Sequence, residues 1–182
     1  MNMEETAVLL SIRPEWCDLV VRGKKTIEVR KTRPKLETPF KAYIYCTKAQ
    51  SKIGWLRIVP GKGWLQLDSA VIGEFTCDKI DKLVHVGTMM DINILTLDGW
   101  YKPADALLQA ACLTEETAKK YLQGHNGYGW HISDLKIYDQ PRKLRAFTGL
   151  QSTRFGMRPV EITRPPQSWR YVVGPGECHK EL

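Results

Sequence analysis

The sequence lacks any pair of cysteines close enough to clasp a metal. Five cysteines stand at positions 17, 46, 77, 112 and 178. Their number is odd and no C-x-x-C spacing occurs, which excludes a disulfide framework and a zinc module. Cys17, Cys46 and Cys77 lie in apolar segments, where a free thiol behaves as a small buried hydrophobe. A reducing compartment is the expectation. No apolar run approaches the ~18 residues of a membrane helix. The opening Met1-Asn2-Met3-Glu4-Glu5 is acidic and lacks the basic leader of a signal peptide. The closing His179-Lys180-Glu181-Leu182 carries no meaning as a retrieval tag without such a leader. A cytoplasmic protein without membrane association is expected, with no cofactor. Internal repeats and low-complexity segments are missing as well.

What is present is an excess of positive charge. Lys and Arg number 27 against 20 Asp and Glu, a net charge of +7. Such an excess favours polyanionic partners through a positive surface potential, although solubility alone would also account for it. The 182 residues suffice for one domain with a proper core. A single domain over 1–182 is expected, with its core in about 7–140 and 141–182 as an extension docked on it.

Ala7 to Arg13 is rich in Val, Leu and Ile and reads as a buried strand. Pro14 suits the first position of a helix and Glu15 its positive end. Trp16, Leu19 and Val20 fall on one face of that helix, and Gly23 stops it. Thr26 to Arg30 alternates, with Ile27 and Val29 on one side and Thr26, Glu28 and Arg30 on the other. Trp16, Leu19, Val20, Ile27, Val29, Ile44 and Ile72 are expected in one core. Strands are read at 41–47, at 70–80 with a bulge or close backbone approach at Gly73, and at 128–138 with a bend at Ser133-Asp134. Thr114 reads as a helix N-cap without a full capping box, since Thr117 replaces Glu three residues on. Ser168 to Val173 is expected to dock as an edge strand, and the last seven or eight residues to fray.

The order of these segments, and above all Gly23-Lys24-Lys25-Thr26-Ile27-Glu28-Val29-Arg30, resembles the ASCH family. Its G-x-K-x-x-E-x-R pattern lies in the motif, and S-I-R-P, Y-I-Y and Y-G-W-H-I accompany it. The resemblance covers roughly residues 7–140. It implies an α+β fold: a PUA-like mixed, mostly antiparallel β-barrel flanked by short helices. It also implies RNA binding and a cleft beside the first helix, lined by Lys25, Glu28 and Arg30. Strand alternation agrees for Glu28 and Arg30 but would put Lys25 on the opposite face. Pro165-Pro166-Gln167-Ser168-Trp169 is similar to the tail of phage- and prophage-encoded members.

The chemistry of that constellation is readable. An ionised Glu28 can accept a base amino group or activate water, and Arg30 offers a planar fork for phosphate or a base edge. Lys25 can bind phosphate or carry a proton. An ordinary ion-pair network on a sheet face uses the same residues. Arg13, Lys31 and Lys48 join the candidate RNA or nucleotide-like ligand contacts, with Tyr128 and Trp130 as stacking rings or core residues. Further cations, Arg33, Lys35, Lys41 and Lys52, interleave with Tyr43, Tyr45 and Trp55, a pattern suited to single-stranded RNA or to a solvated face. A second cluster runs through Arg142, Lys143, Arg145, Arg154, Arg158 and Arg164.

Some ASCH proteins are metal-independent amidohydrolases of N4-acetylcytidine. In that subgroup the lysine falls on Lys25, but a threonine stands where this chain has Glu28, and the third group has Glu74, Glu115 or Glu116 as candidates. A hydrolase of that kind, or a ribonuclease, is the alternative to a binding protein, with Lys25 and Glu28 as the catalytic candidates. A phage-encoded protein-interaction adaptor is the third reading.

Overall fold

The computed structural model describes residues 6–50, 56–59, 63–87 and 91–175. They divide into two compact units, Met1–Asp18, Phe40–Phe75 and Asp134–Leu182 in the first, Leu19–Pro39 and Thr76–Ser133 in the second.

The first unit is built on a seven-stranded sheet. Its central strands are β1 (Ala7–Ile12) and β3 (Phe40–Cys46), which run parallel. All six residues of β1 are buried, as a strand covered on both faces requires. The order is β11 (Ser133–Arg142), β6 (Ala70–Cys77), β3, β1, β14 (Trp169–Val173), β12 (Thr148–Thr153) and β13 (Gly156–Glu161). A hairpin of β4 (Leu56–Val59) and β5 (Gly63–Gln66) completes the unit's strands. β14 was expected at an edge. It lies instead inside the sheet, antiparallel to β1 on one side and to β12 on the other. An apolar cluster of Ala7, Leu9, Tyr43, Tyr45, Val71, Phe147, Ile162 and Val172 packs this unit.

The second unit holds a five-stranded sheet in the order β2 (Ile27–Arg30), β10 (Gly127–His131), β7 (Ile80–Val86), β8 (Asp91–Leu95) and β9 (Tyr101–Pro103). Helices α2 (Asp105–Ala110) and α3 (Glu115–Leu122) pack on one face of it. Ile27, Val29, Leu83, Ile92 and Ile94 of the strands meet Leu107, Leu108, Ala118 and Leu122 of the helices there. A Cβ on Gly127 or Gly129 would lie 2.6 Å from Leu122 or 2.9 Å from Leu107, so the helices rest directly on the β10 backbone. That contact turns Tyr128 and Trp130 to the other face.

Helix α1 (Pro14–Val21) links the chain from β1 toward β2. Its buried residues are Cys17 and Val20, while Trp16 and Leu19 are half-buried. The apolar face is thus turned by about one position from the expected one. Nor is there one shared core: Ile27 and Val29 belong to the cluster just described, which contains neither Val20, Ile44 nor Ile72.

Two further expectations change. Residues 128–138 form not one bent strand but the end of β10 and the start of β11, in different sheets. The break falls at Ile132, and Asp134, the second residue of β11, takes φ 48° where the bend was expected. α3 does carry a reciprocal capping box, because the Thr117 hydroxyl accepts from the Thr114 N–H at 2.9 Å while Thr114 accepts from the Thr117 N–H at 3.2 Å.

The fold is therefore α+β, with mixed and mostly antiparallel pairing among the described strands. Both large sheets end in edge strands, β11 and β13 in one and β2 and β9 in the other. The closed barrel is not formed among the described residues. No helix there is long and apolar enough to cross a membrane.

Candidate functional site

The G-K-K-T-I-E-V-R segment places its charges through a helix stop and a short strand. Gly23 takes φ 69° after α1, and the N–H groups of Lys24 and Lys25 both return to the Leu19 carbonyl, at 2.9 and 3.1 Å. Lys25 is still in this turn, since β2 begins at Ile27. Strand parity does not govern it, and its side chain reaches the cluster. Its Nζ lies 3.4 Å from Glu28 Oε2 and donates to the Ala111 carbonyl at 2.7 Å. Arg30 Nη2 lies 3.0 Å from Glu28 Oε1. The three residues are only 3%, 7% and 7% exposed, respectively for Lys25, Glu28 and Arg30.

Two cations thus share one carboxylate in a buried cluster. Taking three charges from water costs several kcal/mol per ion before their attraction is counted, and apolar residues of similar volume would often serve stability as well or better.

Around this cluster the sheet register supplies aromatics. Trp130 is opposite Glu28 and Tyr128 opposite Arg30. Trp130 is fully buried and forms wall, whereas Tyr128 is half-buried. Tyr121 of α3 was not anticipated. The Lys31 ammonium sits 5.5 Å from its ring centroid and also donates to the Gln123 side chain at 3.1 Å. Partial burial pushes the Tyr121 hydroxyl pKa up, with the Arg30 charge opposing and the Glu28 charge adding to the shift. Nothing in the α3 sequence distinguishes Tyr121 from a helix-face aromatic; its place beside Lys31 comes from tertiary packing.

His131 lies on the opposite face, in register with Ile27. Its Nε2 is 2.7 Å from Asp81 Oδ2, and Lys79 Nζ is 2.8 Å from Asp81 Oδ1. Burial raises the cost of ionising Asp81, but the hydrogen bonds from Lys79 and His131 outweigh it and hold its pKa below the ordinary value. Cys77 is fully buried in the same unit, its thiol pushed up to about 12 by burial and donating to the Lys79 carbonyl at 3.5 Å. A thiol so protonated is no nucleophile.

The remaining candidates are dispersed. Arg13 and Lys48 are exposed on the first unit. Arg33, Lys35 and Lys41 are exposed, but Tyr43 and Tyr45 are buried and cannot act as stacking rings. Lys52, Trp55 and Cys178 lie outside the described residues. Of the three carboxylates considered as a third catalytic group, Glu74 accepts from the Tyr138 hydroxyl at 2.5 Å within the first unit. Glu115 pairs with Lys119 at 3.1 Å and accepts from the Ile92 N–H at 3.3 Å, while Glu116 is exposed.

Comparison with known proteins points the same way for the motif. Residues 10–62 match the family model described as the ASCH domain. They contain the whole Lys25–Glu28–Arg30 cluster. The crystal structure of ASCH from Zymomonas mobilis is similar at 19% identity and a TM-score of 0.48, covering 91% of this chain and 86% of that one. Two point-mutant forms of that protein give 18% identity with TM-scores of 0.48 and 0.49, covering 91% and 88%, and 92% and 89%, of the respective chains. No curated protein matches the sequence.

Proposed function

We propose that this protein binds RNA, or a nucleotide-like ligand, at the Lys25–Glu28–Arg30 cluster of its ASCH domain. The observation that carries the reading is the stoichiometry of the cluster, two cations to one carboxylate, all three buried. Burial at that cost is explained when the charges serve recognition. The chain's +7 charge supports it by favouring a polyanion. ASCH domains are associated with RNA binding, which supports it further.

The roles follow from the contacts. Lys25 is engaged by Glu28 and by the Ala111 carbonyl, so it orients the carboxylate. Glu28 in turn aims the Arg30 guanidinium, a planar five-donor fork suited to phosphate or a base edge. Tyr121 and Tyr128 offer rings beside these charges. The chain keeps the lysine of the deacylating subgroup but has a carboxylate at the nucleophile's position, and recognition rather than amide hydrolysis is the function it fits. Fluorescence binding to short single-stranded RNA, double-stranded RNA and DNA across a salt series tests the proposal. Binding to RNA that weakens with salt is expected, and no RNA binding even at low salt overturns it.

A further inference from the structure

The register of the five-stranded sheet aligns one row of side chains across all its strands. Arg30 of β2 is opposite Tyr128 of β10, Tyr128 opposite Lys82 of β7, Lys82 opposite Leu95 of β8, and Leu95 opposite Tyr101 of β9. Directly opposed residues point to the same face of a sheet. This is the face away from α2 and α3, which cover Ile27, Val29, Leu83, Ile92 and Ile94 on the other side. The row spans about 19 Å, four strand spacings of about 4.8 Å.

Exposure rises along it. Arg30 is buried, Tyr128, Lys82 and Leu95 are half-buried, and Tyr101 is 58% exposed. Trp100, next to Tyr101, is 74% exposed. Two large aromatics left in water at a sheet edge mark a contact surface.

We infer that single-stranded RNA crosses this sheet from the Arg30 cluster to Tyr101, stacking bases on Tyr128 and Tyr101 and laying a phosphate by Lys82. Charge complementarity selects this occupant. Both charged members of the row are cations, and the acid beside it on the same face, Glu28, is already held by Lys25 and Arg30. Aromatics alternating with cations suit a strand whose bases are splayed out, and sheet faces of similar width stack two or three bases in this manner. The inference rests on the RNA-binding reading above and extends it by a path and a direction.

The test uses the full chain and a labelled oligouridylate at low salt. Tyr101→Ala is expected to weaken binding roughly fivefold or more, the loss of one stacked base. Tyr101→Phe, which keeps the ring, stays at wild type, and Lys82→Ala weakens binding and flattens its salt dependence. Oligouridylate also quenches tryptophan fluorescence, and Trp100→Phe removes part of that quench. Tyr101 and Trp100 are exposed and Lys82 is half-buried, so these variants fold. Wild-type affinity in Tyr101→Ala and Lys82→Ala, with binding lost in Arg30→Ala, overturns the row and leaves the cluster reading standing. No binding by the wild type overturns both. A dimer that Tyr101→Ala dissociates without changing RNA affinity overturns the row by assigning its edge to a second copy of the chain.

Discussion

At Glu28 one carboxylate answers two buried cations, so its removal strands both. Glu28→Ala is expected to lower stability by about 3–5 kcal/mol, the usual cost of leaving a buried charge unpaired. Urea unfolding measures it, and a loss below about 1 kcal/mol would show that solvent compensates the cluster freely. The same position decides the chemistry. Wild-type protein is expected to show no robust deacylation of N4-acetylcytidine, because Glu28 stands where a deacylase of this kind has its hydroxyl nucleophile and Thr26 is out of register by two. Product analysis by chromatography checks this, and activity created by Glu28→Thr would show a pocket lacking only that group. Efficient wild-type turnover abolished by both Lys25→Ala and Glu28→Ala would make Glu28 a general base for water instead. Asp81 gives a pH prediction. Its folded-state pKa is lowered by Lys79 and His131 against the opposing effect of burial. Its contribution to stability is complete above the unfolded-state value of about 3.9 and is lost as pH falls through the lower folded value. The stability gap between wild type and Asp81→Asn should therefore narrow as pH falls below about 4. Lys25 shows why residues of this kind are only half legible. The motif names it, but its carbonyl partner Ala111 is 86 positions away, and only the fold brings them together.

Among elements, those with local signals were readable. The buried β1, the alternation of β2 and the αL stop at Gly23 follow from composition and period. Gly73 was read as a close approach, and a Cβ there would lie 2.5 Å from the Lys136 carbonyl oxygen. Gly73→Ala is thus expected to force β6 and β11 apart and cost about 1–3 kcal/mol, as overpacking does. A thermal melt unchanged from wild type would contradict that contact. What escaped the sequence is non-local. β14 inserts between β1 and β12 through pairings that no nearby residue announces. The bend read at Ser133-Asp134 coincides with Asp134 at φ 48°, but that the chain there passes from one sheet to another is set by strand pairings that side-chain pattern does not reveal. The α1 face was displaced because Cys17, a small hydrophobe, took the buried position that bulk alone would give to Trp16.

For the whole molecule, charge and the cluster carry the account. A net charge of +7 supplies attraction for any polyanion, but attraction alone does not separate Arg30 from Arg154. Arg154 lies on the β12–β13 connection, its guanidinium 4.5 Å from the Phe155 ring, outside the proposed site. The two therefore divide general electrostatics from recognition. The decisive measurement is the salt dependence of single-stranded RNA affinity for wild type, Arg30→Ala and Arg154→Ala, on samples whose urea transitions show them folded. The account predicts affinity that falls with salt, a loss of affinity in Arg30→Ala with a log–log slope shallower by about 0.7 for one lost phosphate contact, and near-wild-type behaviour for Arg154→Ala. Affinity independent of salt, or equal affinity and slope for Arg30→Ala and wild type, would contradict it.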